Sequence, residues 1–465
     1  MKLFGTDGIR GPANRYPMTS EVAMLVGRAL VYTLAHTKDH WGSAGRVKGA
    51  KPRVRVVIGK DTRRSGYMIE TAIASGVCSM GGEAILLGPL PTPGVAFVAT
   101  SMRADAGIMI SASHNPFADN GIKIFGSDGF KAPDSVEEAI EKLIADPQQM
   151  ESSAPTGDGV GRAQRIDEAH GRYIVFLKTA FPSNLDLVGM RIALDCANGA
   201  AYKAAPQVFE ELGAEVVPIG VTPNGVNINL DSGALYPQNL AAKVKEVGAQ
   251  IGIALDGDAD RVIFSDENGE IVDGDQIIGL CAKDMKERGQ LKGNHVVATP
   301  MSNLGLELAL GTIGLKLERA AVGDRFVVER MKALGANIGG ENSGHIVFLD
   351  HATTGDGILA ALRVLSIMRQ TGKPLSELKN WVKKTPQVLV NLKVKERKPI
   401  ESLVTVQKSV KTAEAAMGKL GRVFVRYSGT ESLVRILVEG QNADQILGFA
   451  NDIENAFITD LGRAK

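Results

Sequence analysis

The sequence predicts an α/β protein made of several units, closed by a smaller unit of α+β type. Through residues 1–384, apolar runs of strand length alternate with helical segments and are joined by Gly-rich loops, which is the pattern of strand–helix units. After residue 385 the order changes to strand, helix, two strands and a helix. Length agrees: at 465 residues, and at about 100–200 residues per domain, the chain should hold three or four domains.

Taken in order, Phe4-Gly5-Thr6-Asp7-Gly8-Ile9-Arg10-Gly11 is too Gly-rich for regular structure and sets Arg10 on a closely approachable backbone. A helix is expected over 19–37 and a strand over 54–58. The strand runs into Gly59-Lys60-Asp61-Thr62-Arg63-Arg64-Ser65-Gly66, where Ser65 can cap a helix reaching 80. A second strand covers 83–87. The apolar run 108–110 then ends in small polar residues, His114-Asn115-Pro116 follows, and a second apolar stretch begins after Asn120-Gly121. That pattern puts Ser113 on a tight turn at a strand end, where open α/β sheets hold their chemistry. Ser135 and Glu138 form a capping-box pattern for another helix, and residues 151–159 read as a linker, so the first unit spans 1–158.

The second unit, 159–270, should carry a helix over 166–179 and strands at 191–195, 215–219 and 251–255. The third, 271–384, should carry helices over 273–288 and 356–370, with strands near 295–299 and 338. In the last, 385–465, strands at 388–394 and 422–425 flank a helix over 401–417. A strand at 433–438 and a helix at 444–459 close the chain.

Composition excludes several function classes. At 44% hydrophobic and 23% charged, the chain can bury a sizeable core. Aromatics are sparse, and a net charge of +1 gives no polyanion-binding face, so a nucleic-acid partner is not expected. The basic stretch 38–53 reads as a solvated loop. Cys78, Cys196 and Cys281 are far apart and lack metal-ligand spacing, which suits buried free thiols in a reducing compartment. The N-terminus lacks the apolar core of a signal peptide, and no run approaches the ~18 apolar residues that span a bilayer. The expectation is a cytoplasmic protein without a membrane partner.

Four loops carry chemistry. Ser113 can be a nucleophile or a phosphate carrier, with His114 and Lys123 as candidate proton-handling groups; the alternative is a polar turn in which Ser113 and Asn115 satisfy backbone groups. Asp256-Gly257-Asp258-Ala259-Asp260-Arg261 offers three carboxylates at alternate positions after an apolar strand, which suits Mg²⁺. A calcium-binding EF-hand loop needs Gly where Arg261 stands and helices where strands are expected, although Glu267 falls at its last ligand position. A bare acidic turn would crowd three like charges. Arg261 makes sense if an anion binds beside the cation. In Gly340-Glu341-Asn342-Ser343-Gly344-His345, Glu341 and Ser343 point the same way if extended, which suits vicinal sugar hydroxyls, and His345 can be a general acid or base; a structural turn is the rival reading. Arg426, Ser428, Gly429 and Thr430 form an anion nest, to which Arg435 either adds charge or is only a solvent-facing neighbour. A hydroxyl carrier, a carboxylate loop, a hydroxyl-gripping loop and a phosphate nest together point to phosphoryl transfer between an enzyme serine and sugar hydroxyls, with Mg²⁺ offsetting charge.

These motifs, Ser111-Ala112-Ser113-His114-Asn115-Pro116 with the other three in the same order, make the chain resemble the α-D-phosphohexomutases, over nearly its whole length. The opening loop is similar to the glucosamine branch rather than the mannose/glucose branch. The resemblance implies four domains around a central cleft, three α/β and a C-terminal α+β. It implies a phosphoserine at Ser113 and one Mg²⁺ held by Asp256, Asp258, Asp260 and an oxygen of that phosphate. Lys123 and His345 match positions of proton transfer, and Arg10 and Arg261 positions near the transferring phosphate. Glu341 and Ser343 would grip sugar hydroxyls, while Arg426, Ser428, Gly429 and Thr430 would hold the phosphate that is not reacting. The implied reaction interconverts D-glucosamine 6-phosphate and D-glucosamine 1-phosphate through a bisphosphorylated sugar and supplies UDP-N-acetylglucosamine synthesis. A phosphoglucomutase/phosphomannomutase of the same mechanism, or a non-catalytic sugar-phosphate binder, are the alternatives. A homodimer is left open.

Overall fold

A computed structural model describes residues 2–36, 53–427 and 433–462. Nearly all of the basic stretch 38–53, and Ser428, Gly429 and Thr430 of the expected phosphate nest, lie outside the described residues.

Each unit is built on its own sheet. The first has six strands in the order Ile9–Pro12, Asp119–Gly126, Ala106–Ile110, Arg55–Lys60, Glu83–Pro89, Arg162–Arg165. The last four run parallel, while Asp119–Gly126 folds back antiparallel on Ala106–Ile110 and pairs with Ile9–Pro12. Parallel strands are covered on both faces and therefore read as continuous apolar runs, as the fully buried Ala106–Ile110 shows. Val56 and Ile58 pack with helices Ser20–His36 and Ser65–Ser79. Val57, on the opposite face, joins helix Thr92–Ser101.

The second sheet runs Ile271–Val272, Val262–Asp266, Ile251–Leu255, Arg191–Asp195, Glu215–Ile219, and the third Lys316–Arg319, His295–Ala298, Ile338–Gly340, Ile346–Phe348. One apolar core is continuous from Val57 through Ile253 to Leu362, so these three sheets are fused through shared packing. The fourth sheet, Gln387–Lys393, Leu433–Gly440, Gly421–Tyr427, is antiparallel and buries a separate core with helices Val404–Met417 and Ala443–Leu461.

Several local expectations need correction. The opening stretch is irregular only as far as Gly8, a turn closed by the Gly5 N–H on the Gly8 carbonyl at 2.8 Å; Ile9–Pro12 is a strand, with Arg10 opposite Gly121, because the edge of Asp119–Gly126 supplies the hydrogen-bond partners that outweigh low strand propensity. Ser65 does not cap its helix, which starts at Ser65 itself; its hydroxyl instead accepts from Asn120 Nδ2 at 2.9 Å. The Ser135/Glu138 capping box does not form, because the helix Asp134–Ala145 begins one residue earlier, directly after Pro133. Asp273 and Asp356 do cap, accepting from the backbone of Gln276 and Leu359. Strand Gly421–Tyr427 runs past the expected end and carries Arg426 into the sheet. Sheet pairing also continues past residues 158 and 270, since Arg162–Arg165 joins the first sheet and Ile271–Val272 the second. The three cysteines are free, and Cys196 and Cys281 are buried. Among the described residues no helix is long and apolar enough to cross a membrane.

Candidate active site

Strand Ala106–Ile110 delivers Ser113 to the C-terminal lip of the first sheet in a left-handed conformation, φ +51°. A non-Gly residue persists there only when its surroundings hold it, against about 1–3 kcal/mol of strain. The Ser113 N–H donates to Ser111 Oγ at 2.9 Å, and Ser111 Oγ donates to Asp61 Oδ2 at 2.6 Å. Asp61 is ion-paired with the wholly buried Arg63, which donates to the carbonyls of Ser113, at 3.1 Å, and of Asn115. From the second unit, Asn229 Nδ2 donates to the same two carbonyls at 2.9 and 3.1 Å. A Cβ at position 257 would sit 2.6 Å from the Ser113 carbonyl oxygen, which is why the acidic loop has Gly there.

That loop brings its first carboxylate to the serine, and Ser113 Oγ donates to Asp256 Oδ2 at 2.6 Å. Asp256, Asp258 and Asp260 are buried, each with an oxygen within 4.8 Å of the others. Burial, then the charges of Asp260 and Asp258, push the Asp256 carboxyl well above its usual range. For Asp258 burial acts upward too, but Lys123 and a hydrogen bond from Thr92 Oγ1 at 2.6 Å override it and hold the group ionised. Lys123 Nζ reaches Asp258 Oδ2 at 2.9 Å, Asp260 Oδ2 at 3.3 Å and Asp7 Oδ2 at 3.4 Å. Burial would lower its ammonium, yet these carboxylates keep it above its usual value. Oδ1 of Asp258 and of Asp260 are buried without a hydrogen-bond partner, the latter 3.9 Å from Arg261 Nε. Buried carboxylate oxygens without hydrogen bonds are costly, and three converging carboxylates fit a hard divalent cation.

His114 Nδ1 lies 3.4 Å from Ser113 Oγ. Burial and the neighbouring Arg261 and Arg10 bring its imidazole down to about 4, so it is neutral at neutral pH. Beside the aspartates opens a cleft of about 420 Å³ whose lining includes Asp7, Arg10, Asp260, Arg261, Glu341 and His345. Glu341 and Ser343 stand on a turn rather than an extended segment. Their side chains nevertheless meet, Ser343 Oγ donating to Glu341 Oε2 at 3.1 Å. His345 Nε2 accepts from the Gly355 N–H at 3.2 Å. Arg426 does not line this cleft. It pairs in register with Arg435 across the fourth sheet, and the Nε of each is buried without a partner. Burial, then Arg435, lowers the Arg426 guanidinium; like charges placed directly opposite favour an anion between them.

Sequence reasoning missed Arg63, Thr92, Asn229, Asp7, Lys131 and Asp324. Arg63 left a signal, a charged cluster straight after an apolar strand, and Asp7 sat in the Gly-rich opening already singled out for Arg10. Thr92 and Asn229 left none, because their roles arise only when the first and second units meet.

Comparison with known proteins matches all four units to phosphoglucomutase/phosphomannomutase family models. Residues 1–151 match alpha/beta/alpha domain I, 172–269 domain II, 273–385 domain III and 389–456 the C-terminal domain. Proteins named phosphoglucosamine mutase include one from Syntrophotalea carbinolica, 56% identical over 99% of this chain and 98% of its own length. Another, from Pelobacter propionicus, is 55% identical over 99% of both. Among solved structures, a phosphoglucomutase/phosphomannomutase family protein from Burkholderia thailandensis superposes with a TM-score of 0.80 at 24% identity, covering 99% of this chain and 97% of that one. Aspergillus fumigatus N-acetylphosphoglucosamine mutase, solved in complex with GlcNAc-6P and magnesium, has a TM-score of 0.67 at 18% identity over 98% of this chain and 95% of its own.

Proposed function

Since the chain belongs to the phosphoglucomutase/phosphomannomutase family, we propose that it is a cytoplasmic phosphoglucosamine mutase, interconverting D-glucosamine 6-phosphate and D-glucosamine 1-phosphate. The observation that carries this reading is the Ser113 hydroxyl, 2.6 Å from Asp256, in a cluster of three buried aspartates two of whose oxygens lack a hydrogen-bond partner. The relatives named phosphoglucosamine mutase at 56% and 55% identity support the amino sugar over glucose or mannose.

The reaction uses the chain's residues in two mirrored halves. In the first, the phosphoryl group on Ser113 Oγ passes to the free hydroxyl of the sugar monophosphate. The Oγ–P bond breaks, an O–P bond to the sugar forms, the sugar hydroxyl gives up its proton to a base and Oγ receives one. In the second, the bisphosphorylated sugar has turned over, its other phosphate returns to Oγ and both protons run back. Lys123 and His345 handle these protons. Neutral His114 hydrogen-bonds the phosphate, and Arg10 and Arg261 supply positive charge around it. Glu341 and Ser343 grip the sugar hydroxyls, and Arg426 with Ser428, Gly429 and Thr430 hold the phosphate that is not transferring. A bound Mg²⁺, held by Asp256, Asp258, Asp260 and an oxygen of the Ser113 phosphate, would offset the charge of transfer. The four units, 1–158, 159–270, 271–384 and 385–465, each contribute one of these loops.

The test joins intact mass, with and without phosphatase, to turnover of glucosamine, glucose and mannose phosphates. The reading expects one phosphate on Ser113 and turnover led by glucosamine phosphate. Equal or better turnover of glucose or mannose phosphate would shift the assignment to a phosphoglucomutase/phosphomannomutase. Full turnover by Ser113→Ala would remove the carrier role.

A further inference from the structure

His345 is buried at the wall of the cleft, and its two ring nitrogens have different surroundings. Nδ1 is buried without a hydrogen-bond partner among the described residues. Nε2 lies between a donor and an acceptor, the Gly355 N–H at 3.2 Å and Asp324 Oδ2 at 3.5 Å. The close packing is built in: a Cβ on residue 355 would fall 2.6 Å from His345 Nε2. Asp324 opens helix Asp324–Leu334 of the third unit and is ion-paired with Lys131 of the first, which is paired in turn with Asp7. Asp7 then meets Lys123 at 3.4 Å, so alternating charges run without a break from one proton-handling group to the other.

We propose that Asp324 is a positioning residue for His345: it anchors Nε2 and acts as counter-ion to the imidazolium, so that Nδ1 is the nitrogen that exchanges a proton with the sugar oxygen. This rests on the reading of His345 as a proton-handling group. When Nδ1 takes the proton of the attacking hydroxyl, Nε2 must already carry its own; in that tautomer Nε2 gives up the bond from the Gly355 N–H, and the carboxylate of Asp324 accepts the Nε2–H instead. When the proton returns to the departing sugar oxygen, the ring goes back to the same neutral form. Asp324 is suited to the task. Burial would raise its carboxyl, but Lys131 outweighs that and keeps it ionised. Lys131 and His345 share that one carboxylate and compete for it. The other charged groups facing the ring are Asp260 and Arg261 from the acidic loop, Asp7 and Arg10 from the N-terminal strand and its approach, and Glu341 on its own loop. Burial lifts the carboxyl of Asp356, on the helix start packed behind, to about 6, so it is still mostly ionised at neutral pH. None of these other groups is recorded within ion-pair distance of the imidazole among the described residues.

The experiment compares Asp324→Asn, Asp324→Glu and Lys131→Gln in the full-length, phosphorylated protein. Asp324→Asn should lower kcat at least about tenfold with KM for the sugar phosphate within about threefold, and should move the pH–kcat profile about one unit to lower pH. Asp324→Glu should restore most of kcat, and Lys131→Gln should move the profile the other way. Opposite movements by two adjoining residues are not produced by a merely structural defect. In ¹⁵N-histidine spectra, adding sugar phosphate to the wild type should shift Nδ1 of His345 and leave Nε2 nearly still. A dominant Nε2 shift, or an Asp324→Asn profile that stays in place, overturns the inference. The spectra need no turnover, so an enzyme inactive on every sugar phosphate would sink the functional reading while leaving the nitrogen assignment testable. If Lys131→Gln fails to fold, Asp324→Asn and its Glu counterpart decide alone.

Discussion

Replacing Arg63 by Met asks whether the carrier turn is held by charge buried in the floor of the first unit. Arg63 has no exposed surface, is ion-paired with Asp61, and donates to the carbonyls of Ser113 and Asn115. Arg63→Met keeps bulk but leaves the Asp61 carboxylate with only Ser111 Oγ and a backbone N–H. Losing one partner of a buried pair costs about 3–5 kcal/mol. The two carbonyls keep Asn229, so their share is small. The pH dependence fixes the cause. Burial already raises the Asp61 carboxyl above its ordinary value, against the pull of Arg63, and without Arg63 it rises further. A carboxyl raised in the folded state costs stability when ionised, so the loss should be larger at about pH 7.5 than at about pH 5, where more of the group holds its proton. Because the chain has several units, the measurement is native-state hydrogen exchange of strand Ala106–Ile110 rather than a single melting curve. kcat should fall about 10- to 100-fold as Ser113 loses its fixed position. The double variant Asp61→Asn/Arg63→Met should recover much of the stability. Exchange within about 1 kcal/mol of wild type at both pH values would refute the argument that this pair holds the turn.

Three further outcomes are expected. Ser113→Ala should abolish mutase turnover yet cost only about 1 kcal/mol, one hydrogen bond to Asp256; a large drop in thermal stability would mean the hydroxyl is structural. Asp258→Asn should weaken the Mg²⁺ dependence of activity and the rise of melting temperature with Mg²⁺ together, and an unchanged metal titration would contradict the cation site. Arg426→Ala should raise KM for the sugar phosphate at least about tenfold with kcat changed less, and an unaltered KM would move the distal phosphate elsewhere.

Much of this site could be read before folding because its chemistry is local. Ser113, the three aspartates and His345 each lie on a short loop beside an apolar strand, and periodicity alone finds such places. Helices such as Thr92–Ser101 and Asp324–Leu334 escaped because the first is apolar nearly all round and the second starts after Gly323 without a side-chain cap. Strand Ile9–Pro12 escaped because its stability comes from a partner more than a hundred residues away. The unread part of the site is the part made between units: Asn229 on the Ser113 carbonyl, Thr92 on Asp258, Lys131 on Asp324. No spacing rule reaches across such distances in sequence.

The turn that presents Ser113 belongs to the first unit, but the hydroxyl is met by Asp256 and the carbonyl by Asn229, both from the second. Neither half therefore possesses a finished site. Grafting the first unit of a relative onto this chain would succeed only if the donor's turn and the recipient's two grips had been inherited as a matched set. Exchange of whole modules, easy for domains that merely touch, is closed to a pair that share one catalytic atom.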